Sequence, residues 1–288
     1  MRIVRFEKNN EIRTGALDGD SVVDLNLAFP ALDKIALPGD MTALLAAGDE
    51  LLDQLKQINL ANSDYRTPVT QIRLLSPTIN PPKIICCWVN YLSEGAQSPS
   101  EKPIFFGKFG TAIIGNGDNI VLPQSTQDVV VEPELTAVIG KAGRHISEKD
   151  ALSHVAGYTI VNDVTSFNHR LVDLIGSRGP NMMAKTFDTF APTGPAIVTR
   201  DEVADPHALR VRQWLNGELE IEANTSEAVT KLPEFISYLS TFFTLQPGDL
   251  ILTGSPKPLG KLKFLSPGDQ VKIEIENIGI QENAVVSE

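Results

Sequence analysis

Cysteine is almost absent from this 288-residue chain: Cys86 and Cys87 are the whole complement, and they are adjacent. Neighbouring cysteines rarely bridge, and two make no disulfide framework, so a disulfide-stapled secreted scaffold is excluded. Basic clusters are missing as well. The net charge is −11, with the acidic excess spread along the chain, which argues against nucleic acid or an anionic membrane as the main partner. No apolar run is long enough to span a bilayer. The opening Met1-Arg-Ile-Val-Arg-Phe6 reads as a strand and lacks the apolar stretch of a signal peptide. The default expectation is therefore a cytoplasmic protein with no membrane partner.

Several catalytic signatures are also missing. The run Gly107-Lys108-Phe109-Gly110 lacks the spacing of a phosphate loop, and no Gly-x-Gly-x-x-Gly follows a strand. There is no Gly-x-Ser-x-Gly nucleophile elbow. The four histidines, His145, His154, His169 and His207, have no zinc-ligand spacing. His169 stands closest to other polar candidates, six residues after Asp163, although a surface loop histidine is the favoured reading of it.

What the chain does have is 42% apolar residues, enough for a sizeable core, punctuated by many Gly and Pro turns. Short strand signals alternate with turns over residues 1–30. Residues 40–58 carry helical spacing, with Asp40 as the N-cap. Pro77, Pro81 and Pro82 mark the passage to a second block. We therefore expect a small α+β domain over 1–72 and a larger β-rich one over 73–288. In the latter, Ile84–Val89 reads as a buried strand. It runs into the polar, small-residue stretch Asn90–Pro103, whose composition is that expected of a lid. Ser147 caps a short helix to His154. Residues 233–243 form a helix with Pro233 in its first turn. Two Pro-Gly-Asp turns then lead into strands at Leu250 and Gln270.

Two further runs carry chemistry. Val129–Gly140 contains Glu132-Pro133-Glu134, and Gly157–Val164 ends in Asn162-Asp163. Both read as strands. On a strand, Glu132 and Glu134 share a face, about 6.7 Å apart along the backbone. Pro133 has no N–H, so this part of the strand is expected at an edge or a bulge. A solvated face accounts for Glu-x-Glu. A bound cation accounts for it too, and with Asp163 the donors form a hard all-oxygen set that favours Mg²⁺, Mn²⁺ or Ca²⁺ over zinc. Lys185, in a segment of aromatics and small hydroxyls, is either solvated or binds a substrate carboxylate. Thr253-Gly254-Ser255-Pro256 is either a plain turn or an anion-binding corner.

The order of these motifs resembles the fumarylacetoacetate hydrolase superfamily. The resemblance rests on Lys83-Ile-Ile-Cys86 with Asn90-Tyr91, Glu132–Lys141 and Val155–Val164. It also rests on Lys185–Pro195, Asn216-Gly-Glu218, Leu245–Pro256 and Pro267-Gly-Asp269. It implies a β-rich α+β fold: a mixed β-sandwich or roll catalytic domain behind a small N-terminal α+β domain, in a homodimer. It implies Mg²⁺ or Mn²⁺ held by Glu132, Glu134 and Asp163, and a 2-oxo acid or 1,3-dicarbonyl substrate. Lys185 matches the family lysine, and Ser255 the last hydroxyl of its Thr-Gly-Thr-Pro turn. Thr253 and Arg170 join them as expected substrate contacts. A cation-stabilised enolate opens hydrolytic C–C cleavage, decarboxylation and isomerisation.

This chain departs from the family at the lid, where Asn-Tyr-x-x-His-x-x-Glu supplies a water-activating pair. Those positions are Glu94 and Gln97 here. Glu94 is a candidate base if burial raises its pKa, and His169 is the alternative proton-transfer group. Loss of the imidazole tilts the expectation from hydrolysis towards isomerisation or a lyase-type step. A metal-binding relative without turnover, acting as a scaffold, is the expectation of a different class.

Overall fold

A computed structural model of the chain describes residues 1–30, 37, 40–92, 97–98, 100–167 and 182–288. The N-terminal strands are β1 (Arg2–Lys8), β2 (Glu11–Asp18), β3 (Ser21–Asp24), β4 (Arg66–Pro68) and β5 (Arg73–Leu75). The next strands are β6 (Ile84–Trp88), β7 (Ile104–Lys108), β8 (Ile113–Ile114), β9 (Ile120–Leu122), β10 (Val129–Val130) and β11 (Pro133–Ile139). Then come β12 (Val155–Asn162), β13 (Thr165–Ser166), β14 (Ala191–Thr199), β15 (Arg210–Leu215) and β16 (Glu218–Asn224). The last are β17 (Leu250–Leu252), β18 (Gln270–Ile275) and β19 (Gly279–Ser287).

A mixed twelve-stranded sheet runs in the order β4-β3-β2-β1-β14-β12-β11-β17-β6-β7, with β5 on β1 and β8 on β14. A five-stranded sheet, β16-β15-β18-β19-β9, packs against it. The fold is thus β-rich α+β. The N-terminal strands continue the large sheet, because β1 pairs antiparallel with β14.

Burial explains why β11 and β12 lack the alternation of a half-exposed strand: every residue of both is buried. One face of the large sheet meets the five-stranded sheet and the helix Leu232–Phe242. Leu135, Ala137, Ile160, Val211, Ile273 and Phe235 fill that core. The other face meets the helices Met41–Ala46 and Gly48–Leu55. There Val138, Val161, Cys86 and Leu252 pack with Leu44, Leu45 and Leu55. A strand covered on both sides is apolar throughout, so a buried acid on it stands out.

One local expectation changes and another holds. The single helix expected over 40–58 is broken at Gly48, whose φ is +79°; Asp40 does cap the first half, accepting from Ala43 N at 2.7 Å. Pro133 stands where the strand has one free side, as expected of an edge. It opens a strand that lies between β12 and β17, but β17 pairs only from Thr136 onward, so the missing N–H falls where no partner strand asks for it. Among the described residues no helix is long and apolar enough to cross a membrane.

The helix Leu232–Phe242 starts on a histidine acceptor. Leu232 N donates to His207 Nε2 at 3.1 Å, and His207 Nδ1 lies 3.3 Å from Asp205. Burial, joined by the charge of Lys231, lowers the His207 pKa against the opposing pull of Asp205. Neutral imidazole is the form that can accept. Below about pH 6.5 the unfolded chain takes up a proton that the folded histidine resists, so this stabilisation is complete above that pH and is lost as the pH falls through the lowered native value. Urea denaturation should show stability falling on acidification over this window. His207→Gln, which keeps an acceptor that does not titrate, should flatten that part of the profile; an unchanged slope would remove His207 as its source.

Candidate active site

The antiparallel register places the carboxylates. Pro133 faces Asn162, so Glu132 just before β11 meets Asp163 just after β12, and Asp163 N donates to Glu132 O at 2.8 Å. Glu132 N donates to Asn162 Oδ1 at 3.0 Å. Glu134, one strand period on, is buried on the face of Val138.

Each carboxylate has its own holder. Thr165 Oγ1 donates to Glu132 Oε2 at 2.8 Å. Gly254 N donates to Glu134 Oε2 at 2.6 Å. Lys108 Nζ donates to Asp163 Oδ1 at 2.7 Å and to Val164 O at 3.2 Å. Lys185, at the end of the short helix Met182–Lys185, spans two acids: its Nζ donates to Asp163 Oδ2 at 2.5 Å and to Glu132 Oε2. Its ammonium also lies 5.0 Å from the centre of the Phe106 ring.

The electrostatics separate the three acids. Burial alone would raise the Asp163 pKa, but Lys108 and Lys185 outweigh it and hold the carboxyl below its usual value. Burial pushes Glu134 well up, and Asp163 and Glu132 add to it; Lys185 and the Gly254 N–H oppose. Lys185 is raised: burial lowers it, and the charges of Asp163 and Glu132 more than reverse that. With all five groups ionised, three carboxylates face two ammoniums and one negative charge is in excess. Among the described residues Glu134 accepts from no cation. Three Asp, Glu, His or Cys side chains do not form a ready cation cage among these residues, and Lys185 lies between two of the acids. The donor chemistry nevertheless fits a hard divalent cation: all donors are oxygen, and one is a buried carboxylate with no counter-charge of its own.

The structure thus brings together Glu132, Glu134, Asp163 and Lys185. Thr253 is near, but its hydroxyl donates to Leu135 O at 2.8 Å. Among the described residues Ser255 Oγ makes only a 3.3 Å contact with the next carbonyl. Glu94, His169 and Arg170 lie outside the described residues; Gln97 is exposed. In the sequence Lys108 stands out only beside Gly107, in a run without phosphate-loop spacing. Its signal was strand period: Phe106 and Lys108 share one face of β7, one under Lys185 and the other on Asp163.

A family profile described as the fumarylacetoacetate (FAA) hydrolase C-terminal region matches residues 83–286. The chain belongs to the fumarylacetoacetate hydrolase family. It is 39% identical, over 99% of its own length and 92% of the relative's, to a Bos taurus protein named oxaloacetate tautomerase FAHD2B, mitochondrial. Among solved structures it is similar to the maleylpyruvate hydrolase of Sphingobium sp. SYK-6 in complex with manganese (II) and pyruvate. That likeness has 31% identity, a TM-score of 0.81 and coverage of 100% of this chain and 99% of the other. The fumarylacetoacetate hydrolase of Exiguobacterium antarcticum matches with 29% identity and a TM-score of 0.85, each chain covered in full. The named relatives of this family member are enzymes.

The Lys108–Asp163 pair, with side-chain exposures of 0% and 1%, makes a stability prediction. Lys108→Met leaves a buried carboxylate short of a partner, which should cost about 3–5 kcal/mol. Adding Asp163→Asn should recover most of that loss. Urea unfolding of the three proteins checks both; a single variant as stable as wild type would mean that the pair contributes nothing.

Proposed function

We propose that this protein is a divalent-cation-dependent enzyme that forms the enolate of a 2-oxo acid, and that keto–enol tautomerisation of an oxaloacetate-like 2-oxo dicarboxylate is its principal reaction. The observation that carries this reading is the meeting of three carboxylates, one of them buried without a cation, beside a lysine that reaches two of them. Glu132, Glu134 and Asp163 would hold Mg²⁺ or Mn²⁺. A divalent cation bound there would polarise the 2-oxo carbonyl and favour its enolate.

The chain's own groups supply the rest. A 2-oxo dicarboxylate is a dianion, and the site's charge changes from one negative to one positive when a divalent cation is counted, which favours such a substrate. Lys185 pairs with a substrate carboxylate. The Ser255 hydroxyl, committed to little else, is the second contact of the anionic end, with Thr253 shaping the turn from behind and Arg170 as the further cation. Glu94 or His169 moves the proton at the carbon next to the carbonyl. Water activation is the step this chain is least equipped for, since Glu94 and Gln97 stand where family members carry a His–Glu pair. The 39% identity to a protein named as an oxaloacetate tautomerase supports the same choice.

The test is a panel of oxaloacetate and acylpyruvates with Mn²⁺, read by enol absorbance, pyruvate release and C–C cleavage. Enol–keto conversion of oxaloacetate should be the fastest reaction. Glu134→Ala should lower it by more than the 10–100-fold typical of groups outside a metal's ligand shell. Faster cleavage of acylpyruvates would overturn the tautomerase reading in favour of hydrolysis. Glu94→Gln should lower kcat by about 10²–10⁴-fold. If it keeps full activity, the role passes to His169, and His169→Ala becomes the variant that must lose turnover.

A further inference from the structure

The geometry points to Asn90 as a positioning residue for Glu134, acting through the single peptide unit that joins Thr253 to Gly254. This inference rests on the proposed cation site and names a residue that sets its affinity.

β6 and β17 run parallel, with Cys86 beside Leu252. Asn90, beyond the end of β6, therefore meets the Thr253–Gly254 turn beyond the end of β17. Asn90 Nδ2 donates to Thr253 O at 2.7 Å. The N–H on the other side of that same peptide is Gly254 N, which donates to Glu134 Oε2 at 2.6 Å. The peptide is planar and stiff, so fixing its carbonyl fixes the direction of its N–H. Other contacts leave it little freedom. Thr253 N and Oγ1 both donate to Leu135 O.

Asn90 is itself immobilised. It is 3% exposed. Its Nδ2 donates to Thr230 O at 3.0 Å, its Oδ1 accepts from Thr230 N at 2.7 Å, and its own carbonyl accepts from Val229 N at 2.8 Å. The side-chain amide thus spends both donors and its acceptor on backbone groups 140 and 163 residues away. The fit is close: a Cβ on Gly254 would lie 2.7 Å from Asn90 Cβ, and Gly254 has φ +88°. Only glycine lets the turn approach Asn90 and present its N–H. Glu134 needs this help more than its neighbours do. Glu132 and Asp163 are gripped by Lys185, and Asp163 by Lys108 as well, whereas among the described residues the Gly254 N–H is the group that orients Glu134. Asn90 touches no reacting atom, so its effect is on geometry.

The test uses the full-length protein. Mn²⁺ affinity is read from the EPR signal of free Mn²⁺ for wild type, Asn90→Ala and Asn90→Asp, each alone and with Glu134→Gln. Asn90→Asp keeps the acceptor for Thr230 N–H and loses both amide donors, to Thr253 O and Thr230 O; a circular-dichroism melt establishes that each variant is folded before its affinity is read. Both substitutions should weaken Mn²⁺ binding by about 10–100-fold, and neither should weaken it further once Glu134 is Gln. In the metal-free protein, exchange of the Gly254 amide hydrogen should speed up by about tenfold or more. Ser240→Ala removes the buried acceptor of Ile146 N away from this site and controls for general destabilisation; it should leave Mn²⁺ affinity unchanged. The inference is overturned if the Asn90 variants bind Mn²⁺ within twofold of wild type, or if they lose as much affinity in the Glu134→Gln background. Wild type that binds no Mn²⁺ overturns the proposed function and this inference together.

Discussion

Desolvation of negative charge is the constraint on which this site depends. Two strands covered on both faces end at one place, and three carboxylates are set there. A buried carboxylate without a partner is costly, so each acid must be compensated locally. Asp163 is the most deeply placed and the most heavily compensated: Lys108 takes one oxygen and Lys185 the other. Glu132, half-exposed, shares Lys185 and a threonine hydroxyl. Glu134 is buried and has a backbone N–H. The three acids are thus graded by how much positive charge each already holds, and the ungripped one sets the demand for a further cation.

The sheet converts this grading into geometry. Because β11 and β12 are antiparallel and opposed at Pro133 and Asn162, Glu132 and Asp163 are neighbours through backbone as well as side chains. A one-residue slip of register would turn Glu134 out of its face and put Leu135 in its place. Burial on both sides forbids that slip, since the apolar residues of both strands would have to change cores. Stability of the sheet and placement of the acids are therefore one requirement.

Much of this was legible in the sequence, for physical reasons. Glu132 and Glu134 were visible because charge two residues apart in an apolar run is anomalous, and Asp163 because it ends another such run. Asp40 and Ser147 were visible as helix caps because their side chains replace missing backbone acceptors. Lys108 was hidden because a lone lysine at a strand end has an ordinary solvated explanation, and only tertiary structure shows that its ammonium is sealed against Asp163. Pro133 was legible because a missing N–H says that no partner pairs at that residue, and β17 starts further along. The break at Gly48 was hidden by apolar spacing that continues across it. Asn90 belonged to a visible motif, yet its partners lie more than a hundred residues downstream.

The placement of Lys108 bears on the chemistry as well as the fold. An ammonium with no solvent exposure is out of a substrate's reach, so Lys108 acts on the site through Asp163, whereas Lys185 lies nearer the surface at 10% side-chain exposure. Lys108 occupies Oδ1 of Asp163 from the buried side and leaves Oδ2 on the side of Glu132 and Lys185. An aspartate so gripped keeps its orientation through Lys108, and its Oδ2, held by Lys185, is the oxygen that would face a cation at the proposed site. The two lysines thus divide the work on Asp163: the buried one fixes where its carboxylate points, and the more exposed one links it to Glu132.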